Sequence, residues 1–292
     1  MNPRFGRDMS IGGILTAMVT PFDKDGALDE DAAVRLMHHL LENGSDGLVL
    51  AGTTGESPTL TDEEKVRLWE LGVAETRRDA TIIAGTGTYD TRHSVELTER
   101  ATDIGVDAML VVTPYYNRPN PRGIKAHFET VAAATDRPIV VYNIPSRTAT
   151  DIPNDLLAEL AQTENIAAVK QARYEDMQLI DGMDLLAGND DILARVMDMG
   201  GTGGILVASS LVGREMRRII DEPDHRQEIE DGLRDLYRAL TVTTNPIPVK
   251  TALQLTGHEV GGFRLPLVDA SEEERTVIRE ALERHKLLAA VP

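Results

Sequence analysis

The chemistry of this chain can be organised around Lys170, which closes the run Ile166-Ala-Ala-Val-Lys170. Four apolar residues leading straight into a lysine describe a short strand buried on both faces, with the amine delivered to its C-terminal end. A poorly solvated ammonium gives up its proton more readily than one in water, and the neutral amine can attack a ketone to form a Schiff base. A lysine that caps the strand and reaches out to solvent is the plain alternative. Gly52-Thr53-Thr54-Gly55 sets two hydroxyls and adjacent backbone N–H groups on a glycine-flanked turn. Such a nest suits a small carboxylate, though the same residues also make an ordinary turn. No Gly-Lys-Ser/Thr follows, so it is not a phosphate loop. Tyr142 ends another apolar run; its phenol can shuttle the protons of carbinolamine collapse, or it is a core tyrosine with a satisfied hydroxyl. Arg147 offers a planar fork for a carboxylate, or is an arginine of a surface loop. Pro114-Tyr115-Tyr116-Asn117-Arg118-Pro119 holds two aromatics in a stiff exposed loop, as interfaces often do. Glu56, Asp190 and Asp191 read as loop and cap residues rather than cation ligands. The 7 histidines show no metal-ligand spacing, and 0 cysteines exclude disulfides, thiolate metal sites and cysteine nucleophiles.

The elements that must hold these residues follow from the apolar pattern. Strand signals occur at Ile14–Phe22, Gly47–Gly52, Thr81–Gly87, Ala108–Pro114, Pro138–Tyr142, Ile166–Lys170, Asp184–Ala187 (weakly) and Gly204–Ala208. Between them run segments with helical spacing: Leu28–Asn43, capped by Asp29 and ended by Gly44; a helix opened by the capping box Thr61-Asp-Glu-Glu64 and reaching about Arg77; Thr91–Ile104, ended by Gly105; Ile124–Ala134; Pro153–Ala161; and Asp190–Met199. Every link suits a right-handed crossover and is too long for a hairpin. The pattern predicts an α/β chain, a (β/α)8 TIM barrel over residues 1–210; an open doubly wound sheet is the alternative, because local pattern does not show closure. Beyond residue 210 strand signals cease, and Leu211–Ile220, Asp224–Leu240, Pro246–Leu255 and Ser271–Leu288 predict an all-helical C-terminal appendage over 211–292. In a barrel the strand exits converge on one pocket at the C-terminal face, and the polar residues cluster at those exits.

Composition bounds the rest. The formal net charge is −18, from 30 basic and 48 acidic residues, so nucleic acid and anionic membranes are not expected partners. Six of the basic residues are lysines (24, 65, 125, 170, 250 and 286), leaving arginine dominant. An acidic, arginine-over-lysine balance fits a halophilic, salt-rich cytoplasm in which screening tames self-repulsion, and equally a merely acidic protein. Met1–Gly13 carries charges and no apolar h-region, so no signal peptide is expected, and no apolar stretch is long enough to span a membrane. A soluble cytoplasmic protein is expected.

Six segments together carry a resemblance: Gly52-Thr-Thr-Gly-Glu-Ser57, Val112-Thr-Pro-Tyr-Tyr-Asn-Arg-Pro119, Tyr142-Asn-Ile-Pro-Ser-Arg-Thr148, Val169-Lys170, Gly188-Asn-Asp-Asp191 and Asn245-Pro-Ile-Pro-Val-Lys250. In this order and at these spacings the chain resembles the dihydrodipicolinate synthase/N-acetylneuraminate lyase family over nearly its whole length, nearer to the synthases than to the sugar-acid lyases. The resemblance implies a class I aldolase that uses pyruvate, forms a homotetramer and requires no metal or organic cofactor. It implies that Lys170 forms the Schiff base and that Thr53 and Thr54 hold the pyruvate carboxylate. Tyr142, Thr53 and Tyr116 would form a proton relay, with Tyr116 supplied across a subunit interface. Arg147 would receive the carboxylate of L-aspartate semialdehyde in lysine and diaminopimelate biosynthesis, and Gly188 and Ile205 would line the pocket. A 2-keto-3-deoxy sugar acid aldolase or N-acetylneuraminate-type lyase and a non-catalytic binding protein are the competing readings. Two departures are expected at the pocket wall: Gln171, Arg173 and Tyr174 after the lysine, and Leu206 where the synthases often carry serine. Lysine-sensitive members place a histidine in the helix after Gly-Glu-Ser, and an asparagine and a glutamate after the Gly-Thr-Gly strand. Lys65, Tyr89 and His93 stand at those positions here.

Overall fold

A computed structural model describes residues 10–76 and 80–288. The N-terminal segment up to residue 9, and residue 77 at the expected end of the second helix, lie outside the described residues. Eight parallel strands close into one barrel in sequence order: β1 (Gly13–Ala17), β2 (Gly47–Leu50), β3 (Thr81–Gly85), β4 (Ala108–Val112), β5 (Ile139–Asn143), β6 (Ile166–Gln171), β7 (Asp184–Ala187) and β8 (Gly203–Leu206). The barrel closes where β1 pairs with β8, Leu15 opposite Ile205. Closure excludes the open doubly wound sheet.

Strict alternation sorts the apolar runs into two cores. Leu15, Val49, Leu110, Val140, Ala168 and Ile205 point inward and fill the barrel, while Ile14, Leu48, Met109, Val141, Val169 and Leu206 point outward against the helices. Lys170 and Tyr142 fall on the inward parity, two residues beyond Ala168 and Val140. Several strands end sooner than the apolar runs do: β1 stops at Ala17, β2 at Leu50 and β4 at Val112. The chain leaves the ladder there to build the mouth, as Ala51 shows with a left-handed φ of 54°.

The helices that cover the barrel are α1 (Glu30–Glu42), α2 (Asp62–Thr76), α3 (Thr91–Ile104), α4 (Pro121–Ala132), α5 (Pro145–Thr148), α6 (Asn154–Leu160), α7 (Leu193–Asp198) and α8 (Ser209–Asp221). Their start signals hold. Asp29 accepts from the Ala32 N–H at 2.9 Å, and Thr61 and Glu64 exchange both bonds of the capping box. Helix α4 begins three residues before its apolar periodicity, because Asn120 caps it through the Gly123 N–H and Pro121 suits the first turn. Arg147, expected in a loop, sits instead on the single helical turn α5. A cut at residue 210 falls in the first turn of α8, which packs on β1 and is kinked at Val212 (φ −129°, ψ 38°). Beyond it, α9 (Arg226–Ala239), α10 (Ile247–Leu255) and α11 (Glu272–Arg284) form the helical appendage.

Candidate active site

Parallel pairing of β5 with β6 sets Tyr142 directly opposite Lys170. The Lys170 Nζ lies 4.1 Å from the centroid of the Tyr142 ring. The lysine is 5% exposed. Burial lowers its pKa to about 7; the Asp190 carboxylate opposes this and the Arg147 guanidinium reinforces it. Near pH 7 roughly half of such an amine is neutral, against roughly one part in several thousand at the ordinary lysine value. Burial pushes the Tyr142 phenol up to about 12, against the pull of Arg147 and of a hydrogen bond with the Thr53 side chain. The tyrosine therefore stays protonated and serves as a donor.

The remaining expected residues converge on the same mouth with two exceptions. Thr53, Tyr142 and Arg147 line two adjoining cavities. One, of about 740 Å³, extends toward Ser57, Leu110 and Tyr115. The other, of about 1350 Å³ and open to solvent, holds Lys170, Thr54, Gly188 and Asp190, and is walled on its far side by Tyr237 of α9. The Gly188 N–H donates to the Gln171 carbonyl at 2.9 Å, and a Cβ at Gly188 would come within 2.7 Å of that backbone, so the strand crossing admits only glycine. Ile205 is fully buried in the inner core with Tyr142 and lines neither cavity. Tyr116 is 93% exposed with φ of 67° and touches neither cavity of its own chain.

The two departures resolve differently. Leu206 faces the helix layer, away from the pocket, because its parity is opposite to that of Ile205. Gln171 is buried in a network of its own, accepting from the Asn143 amide at 3.1 Å and from the Arg173 N–H at 3.1 Å. Tyr174 alone reaches the cleft, where its hydroxyl donates to Asp191 at 3.0 Å.

Four features escaped the sequence reading. Asp190 does cap backbone groups, accepting from the Val207 and Ala208 N–H at 2.8 and 3.0 Å. It also faces Lys170, and burial pushes its pKa up to about 6 against those two bonds. Asn245 donates from its side chain to the Thr54 hydroxyl at 3.0 Å. Its backbone carbonyl accepts from Arg147 at 3.0 Å. Glu56 and Lys250 form an ion pair at 2.8 Å with both side chains 0% exposed. The signal for the last three lay in Asn245-Pro-Ile-Pro-Val-Lys250, a motif to which no role attached. Among the described residues no group of three or more histidine, aspartate or glutamate side chains is arranged to hold a metal ion, and no helix is long and apolar enough to cross a membrane.

The mouth thus brings a buried lysine and a protonated tyrosine together with the Thr53-Thr54 turn and Arg147. A model of the Dihydrodipicolinate synthetase family matches residues 10–285. The chain belongs to that family. Among its relatives, the 4-hydroxy-tetrahydrodipicolinate synthase of Moorella thermoacetica is 44% identical over 292 residues, covering 96% of this chain and 100% of the relative. The enzyme of the same name from Heliobacterium modesticaldum is 42% identical over 294 residues, covering 97% and 98%. Among solved structures, the chloride-inhibited dihydrodipicolinate synthase of Acinetobacter baumannii complexed with pyruvate superposes with a TM-score of 0.92 at 33% identity, covering 96% of this chain and 100% of that one. Family membership extends through the appendage as well as the barrel, since the match runs past α11.

Proposed function

We propose that this chain is a class I aldolase, a 4-hydroxy-tetrahydrodipicolinate synthase that condenses pyruvate with L-aspartate semialdehyde in the diaminopimelate route to lysine. The observation that carries the proposal is the Lys170 amine, buried against Tyr142 between two separate carboxylate receivers, the Thr53-Thr54 turn and Arg147. The neutral amine adds to the pyruvate ketone while Thr53 and Thr54 hold the carboxylate. Tyr142, in contact with Thr53, returns the proton that lets the carbinolamine expel water. The resulting imine draws electrons from the methyl group, which gives up a proton to form an enamine. The enamine carbon attacks the aldehyde, whose oxygen takes a proton, with the acceptor's carboxylate on Arg147. The acceptor's own amine then attacks the imine carbon, closing the ring and releasing Lys170. Gly188 supports this by keeping the strand crossing open. Ile205 supports it from the inner core that it shares with Tyr142.

Tyr116 enters the proposal through its exposure. An aromatic side chain left 93% exposed on a left-handed residue supports a role in a neighbouring subunit, reaching the Thr53–Tyr142 pair of a second copy. A cytoplasmic homotetramer is the assembly we propose. The division into a barrel over 1–210 and an appendage over 211–292 is proposed with its seam in the first turn of α8, two residues before the kink at Val212, so that most of α8 counts with the appendage although it packs on β1. Arg147 favours a charged acceptor over the polyol of a keto-deoxy sugar acid.

Treatment with borohydride in the presence of pyruvate tests the reading. One pyruvyl-derived group is expected on the peptide containing Lys170. Label on Lys125 or Lys250, or no label, would overturn the assignment, and a preference for cleaving keto-deoxy sugar acids would hand the chain to the lyases.

A further inference from the structure

The Thr53–Glu56 turn does not hold its shape alone. Glu56 is left-handed at φ 57°, a conformation that side chains other than glycine adopt at a cost. The restraints that keep it there come from β1's exit and from the appendage. The Thr20 hydroxyl donates to the Gly55 carbonyl at 2.7 Å. Lys250 of α10 donates to the Thr20 carbonyl at 2.8 Å and to Glu56 at 2.8 Å, so one amine fastens the exit of β1 to the turn after β2. The Phe22 ring lies 4.3 Å from the same amine and the Phe263 ring 5.1 Å from it. The second carboxylate oxygen of Glu56 accepts from the Arg264 N–H at 3.3 Å. A fully buried ion pair contributes little to stability relative to apolar packing of the same volume; what it supplies is a fixed geometry. Two residues before α10 begins, Asn245 donates to the Thr54 hydroxyl and thereby leaves that hydroxyl's own proton free to face a bound carboxylate.

We propose that the Asn245–Lys250 segment of the appendage is a positioning element for the carboxylate-binding turn. Lys250 clamps the turn through Glu56, and Asn245 orients the Thr54 hydroxyl. Neither residue is a reacting group. The inference rests on the reading of Thr53 and Thr54 as the pyruvate carboxylate receivers, and Asn245 extends it to the acceptor side, since its carbonyl also holds Arg147.

The test compares Asn245→Ala with the neutral pair Glu56→Gln/Lys250→Met. Alanine removes the contact to Thr54 and keeps the backbone carbonyl that holds Arg147. For Asn245→Ala the pyruvate KM should rise roughly five- to tenfold, the loss of one hydrogen bond. The aspartate semialdehyde KM should stay within about twofold, and the melting temperature should not move. Saturating pyruvate should still place the borohydride adduct on Lys170. The neutral pair, assayed below its own melting temperature, should show the same split in KM. A pyruvate KM unchanged in Asn245→Ala, or an equal rise in both KM values, would overturn the proposal even if the double variant fails to fold. Failure of the wild type to form the Lys170 adduct would instead strike the underlying reading of the turn.

Discussion

Replacing Lys170 by methionine should abolish the pyruvate adduct and at the same time make the protein more stable near neutral pH. The amine sits 5% exposed, and its pKa falls from 10.5 to about 7, chiefly through burial. Such a depression corresponds to folding free energy on the order of 5 kcal/mol, withheld whenever the unfolded chain carries the proton and the folded chain does not. The sign follows from the order of the two values. Above about pH 10.5 the amine is neutral in both states and there is no difference. From there down to about pH 7 folding must expel a proton, and wild-type stability falls; below about pH 7 the deficit is complete and constant. Water entry and relaxation reduce what is realised. The expected gain for Lys170→Met at pH 7 is ~2–4 kcal/mol, or roughly 5–15 °C in melting temperature. Thermal unfolding of both proteins, at one protein concentration and at several pH values between 7 and 10, is the assay. The gap should shrink as pH rises. A gap that stays constant over that range would mean the folded lysine keeps its proton, and the neutral-nucleophile argument would fail.

Arg147→Ala should weaken turnover of aspartate semialdehyde by roughly 30–1000-fold, the effect of losing a charge-assisted partner, while leaving pyruvate trapping on Lys170 intact; normal turnover would show that another group receives the acceptor. Melting temperature should rise from dilute buffer to molar salt, because the net charge of −18 repels itself when unscreened; a flat curve would remove the halophilic reading and leave the chemistry untouched. Free lysine at millimolar concentration should inhibit little: the Asp62 carboxylate is already engaged by His93 at 2.8 Å and Lys65 at 3.4 Å, and the Lys65 ammonium is a like charge that disfavours a cationic effector. Sub-millimolar inhibition in a pyruvate-saturated assay would contradict this.

The barrel was legible because its signals are local. Capping residues, glycine stops and short apolar runs sit within a few positions of one another, and even the weak seventh strand at Asp184–Ala187 forms as expected. Inward or outward facing was less legible, because a run that is apolar at every position hides its parity. That is why Leu206 was expected at the pocket wall and lies in the helix layer. Lys170, Tyr142, Thr53, Thr54 and Arg147 share one mouth because strand exits announce themselves in sequence, whereas Gly188 entered through the resemblance alone. Asn245 and Lys250 were not assigned, because their partners Thr54 and Glu56 lie 191 and 194 residues away and no local pattern links them. Tyr116 shows the opposite limit: its type and loop are plain in sequence, and one chain alone gives it nothing to do.

The separation between Glu56 and Lys250 also bears on how the chain is made. At about 5–20 residues per second, a ribosome delivers Lys250 roughly 10–40 s after Glu56. Throughout that interval the growing polypeptide contains the carboxylate and its turn but not the amine that fastens them. β1 likewise waits for β8, since Leu15 pairs with Ile205. A half-built barrel therefore exposes two open strand edges until β8 has emerged and an acidic group with no mate until α10 has. Premature termination between β6 and α10 yields a product with Lys170 present and its pocket unbraced.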